Sequence, residues 1–312
     1  MKVAIPELFR RELDCRLPED VEATWYRDSS DVAEAARHAD VLVIGFIDAD
    51  EIRAAIESAG HARWISSHAA GVDHYPLALL SERGALLTKG AGINAVAIAE
   101  FAVLCVLSAA KGFPALVVAS YHGQWPTTRA AASELAGSRA LVVGYGAIGR
   151  AAGERLRAFG VEVTGVRRKG YGEPGMLAAD QWREHLGDFD WVLMTAALTR
   201  DTRHMLGAAE LERMRTTAWI VNVARGGLID HTALVAALEA GRPAGAYLDV
   251  TEPEPLPADH PLWATPNVVI TGHSAGRSER SRQRYARLFL DNLAKFRAGL
   301  PLENVVDYRA GY

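Results

Sequence analysis

Residues 141–168 read LVVGYGAIGRAAGERLRAFGVEVTGVRR. An apolar strand runs straight into GYGAIG, Gly144 to Gly149, a helix leaves it, and a second strand arrives within about thirty residues. In that setting the first glycine permits a tight turn, Gly146 lets a pyrophosphate approach the backbone, and Gly149 lets helix pack on strand. Free N–H groups at the helix start then face the phosphates. Gly144, Tyr145, Gly146, Ala147, Ile148 and Gly149 are therefore expected to hold a dinucleotide. The second strand ends in Arg167 and Arg168, followed by Lys169, where units that prefer NAD end in Asp or Glu. A guanidinium binds a phosphate dianion through parallel hydrogen bonds and stacks on adenine, but offers no acceptor to a free ribose hydroxyl. Arg167 and Arg168 thus point to NADP(H), with NAD(H) as the lesser cofactor.

Outward from this unit, short apolar runs alternate with helical patterns along the whole chain, which predicts α/β architecture with parallel sheets and helices on both faces. In the first third, strands are expected at Val3–Ile5, Ala23–Tyr26, Val41–Phe46, Trp64–Ser67 and Ala85–Thr88, with helices at Ser30–His38 and Ala49–Ser58. Asn94–Ala110 reads as a long helix apolar on most faces, buried between domains or subunits. Tyr121–Pro126 breaks regularity as a loop. A second sheet is expected from Ala140–Gly144, Val161–Val166, Trp191–Ala196, Ala218–Val223, Gly245–Val250 and Val268–Thr271. The proline-dense TEPEPLPADHP, residues 251–261, cannot be regular structure. A last helix over Ser278–Ala298 is placed to return to the first domain.

A chain of 312 residues exceeds a single core, so two domains are expected. A net charge of −4 offers no basic footprint for nucleic acid. No apolar run has the length and polarity of a membrane span, and MKVAIPELFR reads as a strand rather than a secretory signal, which predicts a cytoplasmic protein. Cys15 and Cys105 have no neighbours at metal-ligand spacing and read as buried small residues. The pair His68 and His74 lacks a third ligand, so no metal is expected.

Three further stretches carry chemistry: VNVARGGLID (221–230), LDVTEPEPLPADHPLW (248–263) and GHSAG (272–276). With Gly71-Val72-Asp73, Ala99-Glu100 and the glycine turn, they resemble the signatures of the D-isomer-specific 2-hydroxyacid dehydrogenases. The resemblance implies a flavodoxin-like substrate domain, residues 1–93 and 277–312, and an inserted NAD(P)-binding Rossmann domain, residues 94–276. It also implies glyoxylate or hydroxypyruvate reductase-like activity and a homodimer. Arg225, at the carboxyl edge of its strand, can hold the carboxylate and ketone oxygens of a 2-oxoacid with one planar guanidinium. Reduction of a ketone needs a proton for the nascent alkoxide, and His273 is a side chain suited to give it near neutrality. A carboxylate beside that imidazole favours its charged form; Glu252 and Glu254 compete for the role, and the resemblance assigns it to Glu254. By resemblance, Asp249 binds the nicotinamide carboxamide, although a carboxylate there can equally cap the loop; Val223 and Ala224 border the cofactor. Backbone N–H groups of the Ala70-Gly71 turn are expected on the substrate carboxylate, in a cleft whose closure excludes water.

Two departures from the family pattern stand out: Gly272 and Ala197 replace prolines, which is expected to loosen backbone near the nicotinamide. Trp125 lies where some relatives send an aromatic into a neighbour's active site, or it is a core or interface tryptophan. Phosphite-type dehydrogenation and a non-catalytic NAD(P)-sensing corepressor are the competing functions. The R group is expected to be shaped by Phe46-Ile47-Asp48 and Ser67-His68-Ala69, which carry no readable code.

Overall fold

A computed structural model describes residues 1–45, 48–126, 132–168 and 172–311. In the first part of the chain, elements follow in the order β1 (Lys2–Pro6), α1 (Arg10–Leu13), β2 (Glu22–Tyr26), α2 (Val32–Ala36), β3 (Val41–Ile44), α3 (Ala49–Ser58), β4 (Trp64–Ser67), α4 (Leu77–Glu82) and β5 (Leu86–Thr88). Then come α5 (Ala95–Ala110), α6 (Phe113–Tyr121), β6 (Arg139–Val143), α7 (Ala147–Ala158), β7 (Glu162–Arg167), β8 (Met176–Ala178) and β9 (Trp191–Met194). The chain continues through α8 (Ala208–Arg213), β10 (Trp219–Asn222), α9 (His231–Glu239), β11 (Gly245–Leu248), β12 (Val268–Ile270) and α10 (Ser281–Arg297). Two units result: Met1–Ile93 with Ser278–Tyr312, and Asn94–Arg277.

The first unit is a five-stranded sheet in the order β2-β1-β3-β4-β5, all its paired strands parallel. Both faces are covered, so the central strand β3 is apolar and buried at every position, while the edge strand β2 alternates. Ala4, Leu42, Ile44 and Ile65 pack under α2 and α3, whereas Val3, Ile5, Val41, Val43 and Trp64 pack against Tyr285, Phe289 and Leu293 of α10. The terminal helix therefore belongs to the N-terminal sheet. Asp48 starts α3 by accepting the N–H groups of Asp50 and Glu51, both at 3.0 Å.

The second unit is a seven-stranded parallel sheet, β12-β11-β10-β9-β6-β7-β8. Strand order reverses between β6 and β9, and such a reversal opens a crevice at the carboxyl ends of the strands. One face packs on α5 and α7, through residues such as Ala99, Ala102, Ala152 and Leu156. The other packs on α8 and α9, through Leu211, Leu234 and Leu238.

The expected α/β class with two parallel sheets is borne out, with four local differences. The helix expected over Ser30–His38 is confined to Val32–Ala36. β8 extends the second sheet beyond the six strands read from the sequence. α6 forms immediately after α5, its Pro114 sitting in the first turn where the missing N–H is tolerated. Cys15 is exposed rather than buried; Cys105 is buried. Among the described residues no group of His, Cys, Asp and Glu is arranged to hold a metal. No single described helix is long and apolar enough to cross a membrane, although α5 and α6, bent by 76°, pass that test as a pair.

Candidate active site

The glycine turn leaves β6 at the strand-order reversal. Gly144 has φ +100°, and a Cβ there would lie 2.3 Å from the Ala196 nitrogen, so no other residue fits. The N–H groups of Gly144 and Tyr145 both donate to the Val166 carbonyl, at 3.1 and 2.8 Å, which pins the turn to the end of β7. Tyr145 folds back over Gly165, where a Cβ would meet its ring at 2.5 Å, and its hydroxyl accepts from Arg157 at 2.8 Å. A Cβ on Gly146 would meet nothing within 4 Å, and one on Gly149 would strike the Gly144 carbonyl at 2.6 Å. The first α7 backbone bond runs from the Arg150 N–H to the Gly146 carbonyl, 2.9 Å. The N–H groups of Ala147, Ile148 and Gly149 thus have no acceptor within the helix, the arrangement by which a helix start can receive a pyrophosphate. Arg167 and Arg168 are exposed at the end of β7, and Arg167 is ion-paired with Glu173. Lys169 lies outside the described residues.

β10, β11 and β12 are neighbours with their ends in step: Asn222 pairs with Leu248, and Leu248 with Ile270. The loops leaving these three ends carry Arg225, Asp249 with Glu254, and His273. The Arg225 loop is braced by Asn222, fully buried, whose amide donates to the Arg225 carbonyl at 2.9 Å and whose Oδ1 accepts the Ala224 N–H at 3.1 Å. Val223 is bonded through its N–H to the Met194 carbonyl, 3.3 Å. Gly226 lies so close to the next loop that a Cβ would sit 2.0 Å from the carbonyl carbon of Thr251. In that second loop Glu254 Oε1 accepts the Thr251 N–H at 2.9 Å, while Oε2 meets His273 Nδ1 at 2.8 Å. With Nδ1 donating to a carboxylate, the imidazole presents Nε2 outward.

The charges are mutually felt. The Glu254 hydrogen bond raises the pKa of His273 against the opposing effects of burial and of the Arg225 charge. Burial acts to raise the pKa of Glu254, but the bonds from His273 and Thr251 and the charges of His273 and Arg225 bring it below the ordinary value. Glu252 instead takes Arg203 at 2.7 Å.

Gly272 and His273 both adopt left-handed backbone, φ +58° and +55°, a region that costs a non-glycine residue about 1–2 kcal/mol. The turn is held by Asp249, which is only 4% exposed. Its Oδ1 accepts the Thr271 hydroxyl at 2.6 Å and the Ser274 N–H at 2.8 Å, and its Oδ2 accepts the Ala275 N–H at 3.0 Å. The His273 N–H closes on the Asp249 carbonyl as well. At Gly272 the glycine allows a turn that proline, fixed at negative φ, could not enter, and Asp249 bonds across it. At Ala197 the backbone is likewise tied down, its carbonyl accepting the Thr202 hydroxyl at 2.7 Å.

The remaining expected residues fall elsewhere. Ala70 and Gly71 belong to the first unit, in the turn after β4, where Ala69 N–H donates to Ser67 Oγ at 3.1 Å. Ser67 is buried and bonded to the Tyr75 hydroxyl at 2.7 Å. Phe46 and Ile47, expected to shape the R group, lie outside the described residues. Trp125 is 90% exposed, which excludes a place in a core of this chain. Sequence reasoning missed Asn222, Thr251 and Thr271; the available signal was a polar residue at or just beyond the end of an apolar strand.

Comparison with known proteins follows the same lines. Residues 103–275 match the model of the D-isomer specific 2-hydroxyacid dehydrogenase NAD binding domain. The chain is 30% identical over 292 residues to D-3-phosphoglycerate dehydrogenase of Methanocaldococcus jannaschii, covering 92% of this chain and 55% of that protein. It thus spans little more than half the length of that relative. It is also 30% identical over 283 residues to glyoxylate reductase of Korarchaeum cryptofilum, covering 88% of this chain and 85% of that one. An NADPH-dependent glyoxylate/hydroxypyruvate reductase from Sinorhizobium meliloti, solved with NADP and sulfate, matches with a TM-score of 0.83 at 25% identity, covering 100% of this chain and 99% of that one. A match across more than half of the chain, joined by relatives aligned over most of it, decides what the motifs raised: this chain belongs to the D-isomer specific 2-hydroxyacid dehydrogenase family, a family of oxidoreductases that use a nicotinamide cofactor.

Proposed function

We propose that the chain is an NADP(H)-preferring reductase of small 2-oxoacids, of the size of glyoxylate or hydroxypyruvate, giving the D-2-hydroxyacid where the product is chiral. The observation that carries this reading is the 2.8 Å bond between His273 Nδ1 and Glu254 Oε2, within reach of the Arg225 charge. When bound, a reduced nicotinamide supplies the hydride. Arg225 holds the substrate carboxylate and ketone oxygen and stabilises negative charge growing on the latter. The imidazolium of His273 gives its Nε2 proton to that oxygen, and Glu254 keeps the ring charged and oriented until it does. Cofactor contacts are assigned to Gly144–Gly149, Arg167, Arg168, Val223 and Ala224, and a share of the substrate carboxylate to the backbone of Ala70 and Gly71.

The names of the Korarchaeum and Sinorhizobium relatives support the substrate class, and the NADP in the latter supports the cofactor. Reduction of 2-oxoacids by the purified protein with NADPH and with NADH is the test. Turnover of the smallest oxoacids, more efficient with NADPH, is expected; dinucleotide binding without turnover of any 2-oxoacid would overturn the enzymatic reading. The proposal extends to a cytoplasmic homodimer. Phe113, Leu116, Val117, Val118 and Tyr121 of α6 are 41–87% exposed, an apolar face of the kind that marks a protein interface. Light scattering of the eluted protein at twice the chain mass is the expected result.

A further inference from the structure

Arg167 stands immediately after Val166, whose carbonyl receives the N–H groups of Gly144 and Tyr145, so its backbone adjoins the glycine turn assigned above to the dinucleotide. The chain beyond it returns to β8, placing Arg167 opposite Ala178. Gly172 and Gly175, at φ +71° and +69°, lie on either side of Glu173 in this return. The loop is tied by bonds from the Met176 N–H to the Glu173 carbonyl, 3.0 Å, and from the Gly165 N–H to the Gly175 carbonyl, 2.9 Å. The result is an ion pair between the Glu173 carboxylate and the Arg167 guanidinium, with the two side chains 48% and 44% exposed. A carboxylate and a phosphate compete for the same planar fork.

We propose that Glu173 is a built-in competitor of the cofactor's 2′-phosphate: it occupies Arg167 when no phosphate is present and must be displaced when NADP(H) binds. The inference rests on the NADP(H) reading above. Its chemistry is specific to that group, because NAD(H) brings no second anion to the fork and leaves the pair intact. An exposed pair is weak, so the competition is set to a few-fold rather than to a block. Glu173 thereby narrows the gap between the two cofactors that Arg167 opens.

The test is direct binding of NADP+ and NAD+ by titration calorimetry to wild type, E173Q, R167Q and the double variant, which removes any dependence on turnover. E173Q is expected to tighten NADP+ about three- to fivefold and to change NAD+ less than about twofold. R167Q is expected to weaken NADP+ at least about tenfold, and adding E173Q to it should gain less than about twofold. If R167Q weakens NADP+ but E173Q leaves it unchanged or weakens it, Glu173 is not a competitor and the inference fails while the cofactor reading stands. An equal gain from E173Q with and without Arg167 also overturns it, as a general charge effect. Wild type favouring NAD+, with R167Q indifferent to NADP+, overturns the cofactor reading itself.

Discussion

Asp249→Asn separates two roles that the sequence leaves open for one carboxylate. As the structure has it, Oδ1 receives Thr271 and Ser274, and Oδ2 receives Ala275. An amide has one acceptor oxygen. If that oxygen stays toward Ser274, the new NH2 faces the Ala275 N–H; if the amide flips, it faces the Ser274 N–H. Either way a backbone donor in a nearly sealed site loses a bond to a charged acceptor, worth about 1.5–3 kcal/mol, and relaxation recovers only part of the further cost of leaving it unpaired, about 1–3 kcal/mol. The total expected is about 2–4 kcal/mol of stability. The turn that relaxes is the one holding His273 in left-handed backbone, so kcat should fall and the pH profile should change, while NADPH affinity stays near that of wild type. Urea unfolding followed by tryptophan fluorescence, cofactor titration and the pH dependence of turnover read these three quantities. Stability within about 0.5 kcal/mol of wild type, together with a tenfold loss of NADPH affinity, would refute the reasoning and return Asp249 to the nicotinamide carboxamide.

Arg225→Lys keeps the charge but loses the planar fork, and should lower kcat by about 10²–10³ and raise KM in steady-state assays. Glu254→Gln should move the alkaline loss of reductase activity to lower pH. The sign follows from His273: its pKa is raised by the Glu254 bond, so it stays protonated to higher pH than an isolated imidazole, and the variant deprotonates earlier. In stability the same pair contributes fully between the ordinary values of the two groups; that contribution fades as pH rises through the raised His273 value or falls through the lowered Glu254 value. Melting curves across pH should therefore converge for variant and wild type at both extremes. Gly226→Ala drives a methyl to 2.0 Å from the Thr251 carbonyl carbon, where only backbone can yield. A loss of about 1–3 kcal/mol and of about a hundredfold in kcat/KM is expected from melting and turnover.

Most of the architecture was legible because both sheets are buried on two faces, which leaves uninterrupted apolar strands such as Val41–Ile44 and Trp191–Met194 in plain sight. β8 escaped because it has only three residues, one of them a half-buried methionine, behind a loop rich in glycine. α6 escaped for another reason: none of its residues is buried, so its sequence carries no helical periodicity to read. The residues proposed to touch ligand announce themselves by type and motif, as Arg225 and His273 do. Those that act on backbone do not: Asn222 and Thr271 look like ordinary strand-end polar residues until their bonds are seen. The partner of Arg167 was hidden because it depends on how a loop returns, not on local sequence.

The alignment of β10, β11 and β12 has a further consequence. Because neighbouring strands sit about 4.8 Å apart, the three loops spring from a ruler spanning about 10 Å, fixed by main-chain hydrogen bonds alone. The main chain thus sets the spacing of the strand ends, while two buried side chains, Asn222 and Asp249, set how the loops carrying Arg225 and His273 leave them. Apolar core residues elsewhere under the sheet can then change more freely than these two, because neither the strand spacing nor the loop anchors depend on them.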